Sequence, residues 1–583
     1  MAQSAAQALS KARAQAMPMR LPSWRRRALL IGLMLCFATL LGRAVYLQGL
    51  HRDFLQQKGD QRYGRTLSIF AHRGMITDRN NEPLAISTPV ESVWASPPDV
   101  EITPQQTKKL AELLQVKPSD INKKIKNDDK NFIYLKRRMP PEAAARVMQL
   151  GIPGIYLQRE YRRFYPAGDM SAHIIGFTGA EDIGQEGVEL VYQHWLAGKQ
   201  GSRRVIQDRQ GHIIEELEEV KVPQEGRDLV LSIDRRIQYL AHRELAHAVE
   251  INKAKAGSIV VLDSRTGEVL ALANQPTYNP NAPTNLAVTG RNRAIVDTFE
   301  PGSTLKPFTV ATALEAGTFK PDTLINTGNG KYSIGPATIS DAHPVGIVTV
   351  AQVIQKSSNV GAAKIALTLA PEAMWRMFNQ MGFGSTAHIG FPGEASGRLR
   401  PWQHWRPIEQ ATMAYGHGIS LSLIQLARAY TTFANDGEIK PISLLKLNEP
   451  AIGQHVISAQ TAKEIRDMLE LVVQPGGTAP RAQIAGYRVA GKTGTAHKLV
   501  NGQYAVNLYV SSFIGMAPAS NPRLIVAVMI DEPGAGEYYG GAVAAPVFSN
   551  VMAGALRILA IPQDAPATNI APVINAPEVK ESV

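Results

Sequence analysis

Between Ala28 and Leu50 the sequence runs for 23 residues with a single charge, Arg43, directly behind the triplet Arg25-Arg26-Arg27. As a helix this stretch reaches roughly 34 Å, enough to cross the hydrocarbon of a bilayer. It divides the chain into a basic end, residues 1–27, and a large remainder on the far side of a membrane. Basic flanks stay in the cytoplasm, so the remainder is expected to be exported. A cleaved signal peptide is the rival reading, but no Ala-x-Ala-like site follows the apolar run, which favours an uncleaved anchor. A buried core helix is a third reading, and it sits poorly beside three arginines. The one cysteine, Cys36, lies inside the span. The exported part is therefore expected to hold together without an intramolecular disulfide.

The net charge of +12 suggests nucleic acid only until it is located. Six of the basic residues, Lys11, Arg13, Arg20, Arg25, Arg26 and Arg27, stand in the first 27 positions, where there is no acid. The rest of the chain has no strong bias, and no nucleic-acid role is expected. With 583 residues and 44% hydrophobic content the chain can fill two or three folded units. The thirteen histidines are scattered without metal-ligand spacing, so neither a metal nor an organic cofactor is expected.

Chemistry first shows at Phe299-Glu300-Pro301-Gly302-Ser303-Thr304-Leu305-Lys306-Pro307. Pro301 and Gly302 punctuate the chain, an apolar-rich run follows from Phe308 to Leu314, and Gly317 offers a stop. A serine hydroxyl is a poor nucleophile until a base takes its proton. Lys306, three residues on, shares a helical face with Ser303, and its amine can serve as that base if burial or a second cation lowers its pKa. Pro307 disfavours helical geometry at Lys306, so a distorted first turn is expected. Taken alone, Ser-x-x-Lys should occur roughly twice in such a chain by chance. A second copy, Ser443 to Lys446, does occur, in a short apolar run that reads as a strand.

Two further stretches change the weighing. Ser357-Ser358-Asn359 lies downstream, and then Lys492-Thr493-Gly494-Thr495. Lys-Thr-Gly alone is expected about once in ten such chains. In order, the three match the Ser-x-x-Lys, Ser-x-Asn and Lys-Thr-Gly set of serine acyltransferases that react with penicillin. The match extends through the exported chain. Arg73-Gly-Met-Ile-Thr-Asp-Arg-Asn-Asn-Glu-Pro-Leu-Ala, Arg162-Arg163-Phe-Tyr-Pro-Ala-Gly, His173-Ile-Ile-Gly-Phe and Gly184-Gln-Glu-Gly-Val-Glu189 resemble a non-catalytic pedestal domain. The sequence thus resembles the class B penicillin-binding proteins, of the division-specific type called penicillin-binding protein 3. Asn81 stands where that pattern commonly has glycine, and asparagine also tolerates a left-handed turn.

The expected organisation is a cytoplasmic tail (1–27), a transmembrane anchor (28–50), a pedestal or dimerisation domain (51–222), a transpeptidase domain (223–561) and a disordered tail (562–583). In the pedestal, Pro104 to Leu114 reads as a helix with Thr103 as N-cap, Pro140 to Leu150 as another, and Asn127 to Lys130 as a polar loop. Arg162, Arg163 and Glu189 read either as an internal ion-pair network that sets how the pedestal sits on its neighbour or as exposed loop charges. Asp234 is the expected N-cap of a helix from Arg235 to Glu250. The runs Gly257 to Asp263 and Glu268 to Ala273 signal a hairpin, and Ser511 to Met516 and Arg523 to Ile530 are further strands. Strands at both ends with helices between give an α+β domain, helices packed on an antiparallel sheet. The resemblance implies the penicillin-recognising transpeptidase fold.

By that resemblance, Ser303 attacks the terminal D-Ala-D-Ala bond of a peptidoglycan stem peptide, with Lys306 as base. Ser357 relays a proton to the leaving amine. Asn359 orients Lys306 and binds the substrate amide. Lys492 adds positive charge, and Thr493 and Thr495 bind the terminal carboxylate. Gly494 lets the strand approach closely. Backbone N–H groups of Ser303 and Thr495 form the oxyanion hole. His417 and His497 sit in or beside site-lining segments, and one of them is expected to make acylation pH-sensitive between roughly pH 5 and 7. Expected partners are stem peptides, β-lactams, a polytopic glycan polymerase and division proteins at the inner membrane. Alternatives are a β-lactam receptor or regulatory scaffold without cross-linking, a hydrolytic β-lactamase, and an elongation-type transpeptidase.

Overall fold

The computed structural model describes residues 22–52, 54, 64–126, 132–207, 213–500 and 502–568. Helix α1, Ser23–Val45, runs on through a wider turn at Tyr46–Leu50. Residues Ser23–Gly49 form one apolar span of 27 residues, none of it buried by protein. Its side chains, among them Leu29, Leu33, Phe37 and Leu41, are more than half exposed. Such a helix fits a single-pass membrane anchor.

In the pedestal a 13-residue strand, Pro83–Ala95, is the organiser. It pairs antiparallel with Ile155–Phe164 on one side and Ile133–Met139 on the other. Helices Pro104–Leu114 and Pro141–Met148 cover this sheet and close a small core of Val93, Leu110, Leu114, Leu135, Val147 and Ile155. Thr103 caps the first helix in a reciprocal box with Gln106, as its sequence leads one to expect. Positions 127–130, expected as a polar loop, lie outside the described residues. Asn81 takes the left-handed conformation expected of it, at φ 65°.

The two arginines read as a pair part company, because alternate residues of a strand face opposite ways. Arg162 is exposed and Arg163 buried. Glu189, fully buried, receives Arg163 Nε at 2.6 Å and Arg73 Nε at 2.7 Å. Arg73 also donates to the carbonyl of Asp182 and the side chain of Gln193, both at 2.9 Å. The network is therefore internal to the pedestal and joins three of its segments.

The second unit is joined to the first at the start of helix α2, Arg235–Ile251. Asp234 caps it by accepting from Arg236 N. Asp78 of the pedestal accepts from Arg235 N at 3.0 Å with one oxygen, while its other oxygen accepts from Asn80 N and Glu82 N. Thus a buried carboxylate of one unit caps a helix of the other.

Next comes the expected hairpin, β1 (Ala256–Asp263) against β2 (Val269–Gln275). The chain then enters a helical region that includes α3 (Lys306–Glu315), α4 (Val350–Lys356), α5 (Asn359–Leu367), α6 (Leu423–Ala434) and α7 (Ala459–Val473). It returns to the sheet as β3 (Ala490–Val500), β4 (Gln503–Ala517) and β5 (Leu524–Asp531), and helix α8 (Ala545–Ile558) follows. The five strands are antiparallel in the order β2-β1-β5-β4-β3. Every residue of β1 and β5 is buried. Helices α2 and α8 pack against strands of this sheet, as does α6, while α7 lies along β3. Central strands covered on both faces need apolar side chains throughout, which is why Ile259 to Leu262 and Leu524 to Ile530 read as unbroken apolar runs. Edge strand β3 is left where the helical region can reach it.

Past Ile561 the chain stays attached for a few residues, because Asp564 accepts from Arg488 N at 2.7 Å and from Ser520 Oγ at 2.7 Å. Residues 562–568 of the expected tail are thus tied to the domain through Asp564, and the rest of it, 569–583, lies outside the described residues. The second Ser-x-x-Lys copy is not a helix opening, as expected, but neither does it form the expected strand: it makes single bridges from Ser443 to Glu268 and from Leu445 to Leu231 about a bend at Leu444.

Glu189 is the only carboxylate hydrogen-bonded to both buried arginines among the described residues. Replacing it leaves two guanidinium groups uncompensated in a dry interior. Glu189→Ala is expected to destabilise the pedestal by about 3–5 kcal/mol, seen as a lower urea midpoint for the pedestal transition of the full-length protein, whereas Arg162→Ala should stay within about 0.5 kcal/mol of the parent.

Candidate active site

The turn that carries Ser303 is 3-10, Gly302–Leu305, and α3 begins at Lys306. The distortion expected from Pro307 is present in this first turn. Lys306 itself keeps helical angles, φ −52° and ψ −39°, because proline at the second helical position loses no hydrogen bond that the helix needs. Helix α3 ends at Glu315 and Gly317 follows in the left-handed region.

Ser357 ends α4 in a left-handed conformation, φ 59° and ψ 40°. That conformation costs a non-glycine residue about 1–2 kcal/mol, and here it is held from both sides. Thr349 and Gln352 cap the start of α4 reciprocally. Ser358 caps α5, accepting from Gly361 N at 2.9 Å, and donates its own proton to Asp341 Oδ2 at 2.8 Å. Asp341 Oδ1 accepts from Val360 N at 3.0 Å.

Between these elements lie two lysine amines. Lys306 Nζ stands 2.8 Å from Ser303 Oγ, 2.7 Å from the Ser357 carbonyl and 3.1 Å from Ser357 Oγ. Lys492 Nζ, on β3, stands 3.0 Å from the same Ser357 Oγ and 3.2 Å from Thr493 Oγ1. Ser303, Lys306, Ser357 and Lys492 are all buried. Stretches 189 residues apart in sequence, from Ser303 to Lys492, thus meet in one pocket. A nucleophile within hydrogen-bond reach of an amine, itself fixed by a carbonyl, is an arrangement for acyl transfer.

Gly494 explains how close the third stretch comes. A Cβ placed there would stand 2.6 Å from Ser512 Oγ, 2.7 Å from the Pro301 carbonyl and 2.9 Å from Thr304 Cγ2. The Ser303 turn therefore lies directly on β3. Thr495, one residue on, is buried and accepts from Gly540 N at 3.0 Å.

Comparison with known proteins agrees with this geometry. Residues 257–553 match the family model of the penicillin binding protein transpeptidase domain, and residues 68–231 that of the penicillin-binding protein dimerisation domain. The chain belongs to the penicillin-binding protein transpeptidases. It is 45% identical over 544 residues to a probable peptidoglycan D,D-transpeptidase, PenA, of Neisseria gonorrhoeae, covering 92% of this chain and 93% of that one. It is 42% identical over 554 residues to the peptidoglycan D,D-transpeptidase FtsI of Escherichia coli, covering 93% of each. Among solved structures, the apo TP domain of Burkholderia pseudomallei penicillin-binding protein 3 superposes with a TM-score of 0.54 at 51% identity, over 58% of this chain and 98% of that domain.

Within this transpeptidase the expected site residues do not all stand as the motifs suggest. Asn359 was expected to orient Lys306. Instead its Nδ2 reaches the Ser340 carbonyl at 3.4 Å, and its Oδ1 is buried without a protein partner. Thr493 shares its hydroxyl with Thr478, Oγ1 to Oγ1 2.8 Å. Thr478, Asp341 and Glu300 belong to none of the three motifs. Glu300 accepts from Gly418 N at 2.8 Å and from Tyr504 OH at 3.0 Å, and burial raises its pKa. The motif reading singled out neither Thr478 nor Asp341, and Glu300 entered it only as a neighbour of Ser303.

His417 and His497 both border the site. The His417 ring lies between those of Tyr415, 5.1 Å away, and Tyr504, 5.9 Å away. Burial lowers its pKa to about 4. It thus stays neutral through pH 5–7, while His497 lies across the site with its Nδ1 3.1 Å from the Ala505 carbonyl. A histidine with a lowered folded pKa binds fewer protons than in the unfolded chain, so stability falls as pH drops from about 6.5 towards 4. His417→Gln should narrow the difference in thermal midpoint between pH 7 and pH 5 without altering the pH 5–7 profile of β-lactam acylation.

Proposed function

We propose that Ser303 is the nucleophile of a peptidoglycan D,D-transpeptidase. The observation that carries the reading is the buried Lys306 amine, 2.8 Å from the Ser303 hydroxyl and 2.7 Å from the carbonyl of left-handed Ser357. Burial and a second cation nearby both favour an uncharged amine. In that form Lys306 takes the Ser303 proton as Oγ attacks the carbonyl carbon of the D-Ala-D-Ala bond. The proton passes by way of the Ser357 hydroxyl to the nitrogen of the departing D-alanine. The C–N bond breaks, D-alanine leaves, and the stem peptide stays on Ser303 as an ester. An amine of a second stem then attacks the ester, loses its proton along the same path in reverse, and restores the serine.

Lys492, with the hydroxyls of Thr493 and Thr495, takes the terminal carboxylate. Asn359, with its unpaired buried oxygen, takes the N–H of the donor amide, since a buried acceptor lacking a partner is costly until a substrate supplies one. The N–H groups of Ser303 and Thr495 receive the oxyanion. β-Lactams enter by the same attack and stay bound because their leaving group remains tethered.

The helix Ser23–Gly49, with its basic flank, supports an enzyme anchored in the inner membrane with its catalytic domain in the periplasm. Its resemblance to the division-specific class supports work in septal wall synthesis, and a polytopic glycan polymerase and division proteins are the partners this reading expects. Fluorescent penicillin followed by peptide mass spectrometry should find a single adduct, on Ser303, absent from Ser303→Ala. Purified protein given a stem-peptide donor and an amine acceptor should release D-alanine and form the new amide. Label on another residue would overturn the assignment of Ser303. Label on Ser303 with no transfer would favour a β-lactam receptor. Depletion should yield filaments; round cells would move the enzyme to the lateral wall.

A further inference from the structure

The residue before Ser357 points away from the catalytic amines and still returns to them. Lys356, the last residue of α4, donates from Nζ to the Gly476 carbonyl at 2.7 Å. Gly476 belongs to the loop that leaves α7 and delivers Thr478, whose hydroxyl lies 2.8 Å from that of Thr493. Thr493 Oγ1 is 3.2 Å from Lys492 Nζ, and Lys492 Nζ is 3.0 Å from Ser357 Oγ. Ser357 is covalently joined to Lys356. The contacts therefore close into a ring that passes through the serine of the proton path and through the threonine at the carboxylate-binding end of the site.

The Gly476-Gly477-Thr478 loop has little freedom to reach this position by another route. A Cβ on Gly477 would stand 2.1 Å from the Val472 carbonyl, and one on Gly541 would stand 2.2 Å from that of Thr478. Backbone packs on backbone at both points. At Gly476, which is left-handed at φ 83°, the nearest atom to such a Cβ is Lys356 Nζ itself, at 3.3 Å. Lys356 is the one cationic side chain hydrogen-bonded to the carbonyl of Gly476 among the described residues.

We infer that Lys356 is a positioning residue that couples recognition of the substrate's terminal carboxylate to the setting of Ser357. When a carboxylate takes up the Thr493 hydroxyl, the Thr478 loop and, through Lys356, the end of α4 are held in register with it. A lysine in the last turn of a helix also answers the helix dipole, but that role asks only for charge near the last carbonyls. The ring asks for a donor at Gly476.

This inference rests on the reading of Ser303 as the acylated residue, and the experiment separates the two. Second-order acylation rates are measured on full-length protein with a penicillin and with its methyl ester. In Lys356→Met the rate for the free carboxylate should fall about tenfold and that for the ester less than twofold, so that the preference for the carboxylate shrinks; Lys356→Arg should restore at least half of that preference. Equal losses for both compounds, or none for either, would overturn the coupling and leave Lys356 a helix-end charge. If Lys356→Met does not fold, Lys356→Gln, which keeps a donor on a shorter arm, is read by the same ratio. Wild-type protein unlabelled at Ser303 would sink the reading beneath it instead.

Discussion

A lysine can serve a serine as base only where water is excluded and the amine is still met by polar atoms. Both conditions follow here from the seating of one turn on one strand. With no side chain at Gly494, the Pro301 carbonyl and the Thr304 methyl lie within van der Waals reach of β3. The contact buries Ser303 and Lys306 beneath the edge of the sheet and brings Lys492 to the same hydroxyl that Lys306 meets. Other features of the pocket serve to hold a third element, the α4–α5 corner, against that pair.

The corner is where strain is stored. A serine in the left-handed region presents its carbonyl and its hydroxyl to the same amine, at 2.7 and 3.1 Å, which a helical serine would not do. Its cost is offset by contacts that reach well outside the motif. Asp341 receives Ser358 Oγ and Val360 N, the box at Thr349 fixes the far end of α4, and Lys356 reaches across to Gly476. An outlier held by so many partners, in a pocket with two buried lysines, is the pattern expected where backbone strain is part of the mechanism.

Much of this was legible in the sequence because it is local or patterned. The hairpin β1–β2, the N-caps at Thr103 and Asp234, and the three motifs announce themselves by spacing and residue type. What escaped is spatial. The Arg162-Arg163 pair reads as a unit, yet a strand turns one to solvent and the other to Glu189, and the second arginine of the network, Arg73, lies 90 residues earlier in the chain. Thr478 and Asp341 join the site through loops whose prolines and glycines mark a turn but not what the turn will touch. His417 reads as an ordinary histidine, and only its surroundings take its titration down to about 4. Pro307 predicts a distorted turn correctly and misplaces the distortion by a residue, since a proline at the second helical position is favourable.

The two folded units differ in what stabilises them, and this bears on how an anchor at one end can matter to a pocket at the other. The catalytic unit has central strands buried on both faces, so its stability comes from apolar area and is spread over many residues. The pedestal core beneath Pro83–Ala95 is small, and with no disulfide available its integrity leans on Glu189 and two arginines. At the join, Asp78 spends one carboxylate oxygen on its own turn and the other on the first amide of α2. Helix α2 packs on β1 and β2, at the edge of the sheet opposite β3. A change in pedestal orientation is thus felt by the helix that lies on the far edge of the sheet. It also meets the segment that leads to Ser303, because Asn292 Nδ2 donates to the His173 carbonyl and Tyr278 OH to that of Ala172, both at 3.1 Å, so the pedestal bears on the approach to the pocket as well as on the aim of the domain.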